Sequence, residues 1–129
     1  MPEPIVFISH FRIKGGQLEN VRQMSDRAIE QIRSEKPRTV AQIGFADPER
    51  MVLTFIHVFG DADSMDIHIQ GSEQRSSAAY EFIEPLGWEI YGRPSKAAIA
   101  MMEREAAEAG VTLTIEPEVL AGFLRLTPD

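Results

Sequence analysis

The chain has 129 residues and a mass of 14.5 kDa, the size of one domain. Thirteen basic side chains against twenty acidic ones leave a formal charge of −7, which argues against nucleic acid and against an anionic membrane surface as main partners, since both call for a positive face. There is no cysteine, so disulfides, thiolate catalysis, Cys-ligated zinc and iron–sulfur clusters are excluded, and a reducing compartment fits.

Ile, Val, Leu and Phe make up 34 of the residues, more than a disordered chain carries. No apolar run approaches 18 residues, so no membrane-spanning helix is expected. Met1-Pro2-Glu3-Pro4 lacks the basic stretch of a secretory signal. The expectation is a soluble, cytoplasmic, single domain over 1–129.

Ile5 to Ile13 (IVFISHFRI) alternates: Ile5, Phe7, Phe11 and Ile13 share a face with Ser9, while Val6, Ile8, His10 and Arg12 share the other. Period two predicts a strand, and the mixed second face would suit a wall lining something. Lys14-Gly15-Gly16 breaks it. Gln17 to Glu35 predicts a helix, with Leu18, Val21, Met24, Ala28 and Ile32 at spacings of three and four; Pro37 ends it. Strands follow at Thr39 to Phe45 and Met51 to Phe59, joined by the turn Ala46-Asp47-Pro48-Glu49-Arg50. Val52 to Val58 is so apolar that a strand covered on both faces is expected.

Asp63 is the expected N-cap of the next helix, which Gly71-Ser72 interrupts. A second helical piece is expected from about Glu73 to Ile83, with Pro85 and Gly87 as stops. Trp88 to Tyr91 reads as a short strand. Pro94-Ser95 opens a helix to Ala109 with Ile99, Met102, Ala106 and Ala109 on its buried stripe, and Gly110 stands at the C′ position. Val111 to Ile115 alternates as a strand, and Ala121 to Leu126 offers one more.

The order β-α-β-β-α(α)-β-α-β begins as a split βαβ unit. The expected class is α+β: a ferredoxin-like antiparallel sheet with helices on one face, plus a helix–strand extension of the same domain over 93–129. A sheet face left apolar calls for a second subunit, so a homodimer is expected.

Three stretches resemble the antibiotic biosynthesis monooxygenase-like family of the dimeric α+β barrel superfamily. Ile8-Ser9-His10-Phe11-Arg12-Ile13-Lys14-Gly15-Gly16 is similar to its first strand, which ends in a basic residue and glycine. Asp47-Pro48-Glu49-Arg50 followed by Val52-Leu53-Thr54-Phe55 resembles its hairpin. Val58, Phe59, Asp61, His68 and Ser72 fit the pattern after its third strand, with His57 where the family often has Glu. The resemblance covers about residues 4 to 90. It departs from the family in the added segment from Arg93, and in lacking a clear counterpart of the Asn and Trp that some oxygenase members carry near the cavity. It implies a dimer, and oxygenase chemistry without a cofactor, in which the substrate itself activates oxygen. The superfamily also holds haem-degrading enzymes, isomerases and proteins without known activity, and fold alone does not decide among them.

The candidate catalytic residues are His68, His57 and His10. On one reading they line a single cavity and move or orient a proton, for which neutral imidazole is suited near pH 7. On the other they are three unrelated, satisfied histidines. A three-His metal centre is the less favoured option, since the usual ligand spacing is missing. Arg12 shares a face with His10 and either binds an anionic or phenolate substrate or snorkels to the rim. Tyr80 and Trp88 either stack on a flat substrate or pack in the core. Gly15-Gly16 has no phosphate-loop spacing, and no nucleophile elbow is present. Two functions remain open: a small cofactor-independent monooxygenase for a flat aromatic or polyketide-like compound, or a non-catalytic dimeric module that binds a small molecule or serves in stress. No cofactor is expected in either case.

Overall fold

The computed structural model describes residues 3–125. Its elements are β1 (Ile5–Ile13), α1 (Leu18–Glu35), β2 (Thr39–Asp47), β3 (Val52–Phe59), α2 (Ala62–Ile69), α3 (Ser72–Ala79), β4 (Ile83–Tyr91), α4 (Lys96–Ala109) and β5 (Thr112–Glu116). The sheet order is β2-β3-β1-β4-β5, with β1 central and antiparallel to both neighbours. The first four strands form the ferredoxin-like unit. β5 joins parallel to β4 after the α4 crossover, and the sheet stays open, with β2 and β5 at its edges.

Alternation along β1 sets the core. Ile5, Phe7, Phe11 and Ile13 are buried on one face, in register with Leu53, Phe55 and Phe59 of β3 and with Ile83 and Ile90 of β4. Val21 of α1, Met65 of α2, and Ala98, Met102 and Ala106 of α4 join the same cluster, so the helices cover this inner face.

Among the described residues no helix covers the outer face. Val52, Thr54, Ile56 and Val58 are half-buried there, which corrects the expectation that this strand is covered on both sides. Ile43 and Phe45 of β2 are 49% and 55% exposed on the same face.

Local chemistry explains the other differences. Asp61, not Asp63, caps α2: its carboxylate accepts from Ser64 N at 2.8 Å. The helix expected to reach Ile83 stops at Ala79, and β4 starts at Ile83 rather than Trp88. Pro85 and Gly87, expected as stops, lie inside β4 at a bulge. His10 pairs with Gly87 and Phe11 with Pro85, leaving Leu86 as the extra residue. A proline without an N–H is tolerated where the ladder is already interrupted. Gly110 closes α4 in the left-handed conformation, as its position predicts. Residues 121–125 are irregular rather than a strand, and Leu126 lies outside the described residues. Among the described residues no helix is long and apolar enough to cross a membrane.

Candidate functional site

A cavity of about 190 Å³ lies between the inner sheet face and the helices. Phe7, Ser9, Phe11, Phe55, His57 and Trp88 form its floor. Met24, Ala28 and Ile32 of α1 wall one side and Met101, Met102 and Glu105 of α4 the other. The end of α2 and the small side chains of α3 roof it, with His68, Ser72, Arg75 and Ser76 among the lining.

The register explains why His57 faces this space. It pairs with Phe7 on one side and Gln42 on the other, in the same inner row of side chains. Its Nδ1 lies 2.9 Å from the Phe7 carbonyl oxygen. A carbonyl only accepts, so Nδ1 carries the hydrogen and Nε2 holds the lone pair. Nε2 makes no hydrogen bond to a described residue. Burial pushes the His57 pKa down to about 4, the Phe7 hydrogen bond works against this, and the Arg75 charge adds to the lowering.

His68 approaches from the last turn of α2. Its ring stands edge-on to His57, with centroids 5.4 Å apart and planes at 76°. Its Nδ1 shares a 2.7 Å hydrogen bond with Thr39 Oγ1. Burial first, then repulsion from His57 when that ring is protonated and from the Arg75 and Lys36 charges, lower its pKa to about 3. Both imidazoles are therefore neutral at pH 7.

Arg75 is the cation of the site. Its Nη2 donates to His68 O at 2.8 Å and Nη1 to Gln70 O at 3.1 Å. These are carbonyls at the C-terminal end of α2, where a positive charge is favoured. Burial lowers its pKa from the ordinary value.

Of the residues singled out from the sequence, His57, His68, Tyr80 and Trp88 line this cavity. His10 and Arg12 do not, and the expectation of three histidines around one cavity is corrected. Both sit on the even-numbered face of β1, across the sheet. There His10 Nε2 bonds the Glu89 carboxylate, its Nδ1 lies 3.2 Å from Thr54 Oγ1, and Tyr91 OH donates to Glu89 Oε1 at 2.5 Å. The Tyr91 and His10 hydrogen bonds hold the Glu89 carboxyl below its usual range. Arg12 reaches the rim and bonds Glu84 Oε2 at 2.9 Å. Sequence reasoning missed Arg75, Gln42 and Glu105. Arg75 falls seven residues after His68, a helical spacing, but Gly71 at the junction of α2 and α3 hid that relation. Among the described residues no group of three or more His, Cys, Asp or Glu could hold a metal.

No family model matches the chain, and no curated protein matches it in sequence. Solved structures do match. MupZ from Pseudomonas fluorescens is 13% identical, with a TM-score of 0.68 over 93% of this chain and 95% of that one. SnoaB, a cofactor-independent oxygenase from Streptomyces nogalater, is 12% identical with a TM-score of 0.59, over 73% of this chain and 96% of that one. An antibiotic biosynthesis monooxygenase-like protein of Caulobacter crescentus is 10% identical with a TM-score of 0.60, over 69% and 88%. The chain has the antibiotic biosynthesis monooxygenase-like fold. The shares covered by the last two stop short by about the length of the segment from Arg93 onward, whereas MupZ matches nearly the whole chain. At these identities the likeness carries the monooxygenase-like fold and its α4–β5 addition, and chemistry has to be argued from the cavity.

Proposed function

We propose that this protein is a small oxygenase that binds a flat phenolic or enolic compound, aromatic or polyketide-like, and uses no metal or flavin. The observation that carries this is the unpartnered Nε2 lone pair of His57 in an apolar cavity that also holds the Arg75 guanidinium. An acidic O–H or C–H of the ligand gives its proton to Nε2. Arg75 favours the resulting anion, and the anion offsets the cost of a second positive charge beside Arg75. An electron-rich anion reduces dioxygen directly. With a CH₂ group as reacting carbon the balance is CH₂ plus O₂ to C=O plus H₂O, so no external reductant is required. His68 orients the ligand, Tyr80 and Trp88 flank its ring, and the SnoaB likeness supports this class of reaction.

A second reading has its own support. Imidazoles lowered to about 4 and about 3 are weak bases, which favours a binding module without turnover. Oxygen uptake with polycyclic phenols decides between them. An oxygenase consumes O₂ with the wild type, and His57→Gln, which keeps a donor for Phe7 O but has no base, loses roughly 10²–10⁴-fold in rate. Binding without oxygen uptake would establish the module.

The outer sheet face supports a homodimer as the working form, with His10 and Arg12 on the shared surface rather than in the cavity. The absence of cysteine and the acidic composition fit the cytoplasm as the place of action.

A further inference from the structure

The outer sheet face carries a polar cluster beside its apolar side chains. The Glu89 carboxylate accepts from His10 Nε2 on one oxygen and from Tyr91 OH on the other. A carboxylate only accepts, so Nε2 holds a hydrogen whether the ring is neutral or charged, and the proton that changes the charge enters at Nδ1. Nδ1 lies 3.2 Å from Thr54 Oγ1. A hydroxyl donates to the neutral ring and, after rotating, accepts from the charged one, so this bond survives protonation. With a neutral ring the cluster carries the negative charge of Glu89; with a protonated ring it is neutral overall. Arg12 and Glu84 pair with each other at the rim, and Glu116 of β5, whose charge reaches Tyr91, adds negative charge rather than positive. The His10 and Glu89 side chains are 40% and 31% exposed, so water still screens the cluster in a single chain. Its polar atoms already have partners in their own chain, so an apolar surface can cover it. The same face of a second copy, with Ile43 and Phe45 49% and 55% exposed, is such a surface.

We infer that the homodimer takes up a proton at each His10 when its two outer faces meet, so that association strengthens as pH falls from 8 to 6. This rests on the reading of the outer face as a homodimer surface. Docking removes the water that screens Glu89, and a lone carboxylate under an apolar cover costs far more than a hydrogen-bonded ion pair. Burial alone drives an imidazole neutral, as it does at His57 and His68. His10 differs in having a carboxylate in direct contact, and an opposite charge there favours the charged ring. By reciprocity, protonation then favours the docked state by the same factor.

Sedimentation equilibrium of the full chain at pH 8, 7 and 6, at one ionic strength, tests this. The dimer Kd should fall by about tenfold or more from pH 8 to pH 6, since two protons enter per dimer. His57 and His68, at about 4 and about 3, stay neutral over this range, so a change lost in His10→Gln belongs to His10. That variant keeps a donor for Glu89 but takes no proton, and its dimer should be weak at every pH. Glu89→Gln removes the charge that has to be buried, and its dimer should be as tight at pH 8 as the wild type is at pH 6. Wild-type affinity that is flat or weaker at pH 6 overturns the inference, as does a pH dependence that survives in His10→Gln. A dimer with a flat Kd leaves the homodimer reading standing and removes only this one. A single-chain mass at every pH removes both.

Discussion

His57 and His68 are held neutral by burial, and that has a consequence for stability. Their folded pKa values, about 4 and about 3, lie below the ordinary 6.5 of an unfolded chain. Between those limits the unfolded state binds protons that the folded state refuses, so stability falls as pH drops from about 6.5 and levels only near the folded values. Urea unfolding should show a lower midpoint at pH 5 than at pH 7.5. In His68→Gln, which cannot titrate, that difference should narrow. An unchanged difference would mean that His68 is solvated. Gly92 poses a separate residue-scale constraint. Its φ is +111°, and a Cβ there would stand 2.7 Å from the backbone oxygen of Pro4. Backbone cannot swing aside as a side-chain tip can, so Gly92→Ala should cost at least about 2 kcal/mol, measured by thermal denaturation.

At the scale of elements, α2 matters because it carries His68. Asp61 caps it and also pairs with Arg38, with Nη2 3.2 Å from Oδ1. Asp61→Ala should cost about 1 kcal/mol and loosen the turn that aims His68, so ligand affinity should fall along with melting temperature. Elements whose signal is periodic were legible in the sequence: β1 from its alternation, α1 from Val21 and Ile32, α4 from Met102 and Ala106 with its Gly110 cap. Features set by tertiary pairing were not. Pro85 and Gly87 carry a local stop signal, and only β1 pairing across a bulge turns them into strand. Asp61 and Asp63 are both acceptable caps, and the extended backbone at Asp61 decides between them. The site was half legible for the same reason. Alternation places His10 opposite Phe7, but which β1 face the helices cover depends on packing of the whole sheet. His57 lies across from Phe7 only because β3 pairs in that register.

For the whole molecule, the α4–β5 segment is expected to be integral to the fold. Ala98, Met102 and Ala106 belong to the core, Met101 and Met102 line the cavity, and β5 extends the sheet beside β4. A chain ending at Arg93 would expose that core and should fail to fold, as read by far-UV circular dichroism; a folded truncation would show that α4 is an accessory. The opposite sheet face raises the question of assembly. Val6 and Ile8 of β1, Ile56 and Val58 of β3, and Ile43 and Phe45 of β2 make a broad apolar surface over which, among the described residues, no helix lies. A monomer seldom leaves so continuous a patch in water. A second copy meeting it face to face would bury these side chains together with the His10–Glu89–Tyr91 cluster, whose internal hydrogen bonds already satisfy its polar atoms. Burial of more than about 1,200 Å² in total would place this among specific interfaces. Light scattering should then give twice 14.5 kDa at micromolar concentration. Ile43→Asp with Phe45→Asp, which sets two charges on the apolar part of the face, should return the mass to that of one chain while leaving the helix-covered core, the cavity and its ligand affinity in place. A wild-type mass of 14.5 kDa would refute the dimer, and a doubly charged variant that still dimerises would move the interface to another surface.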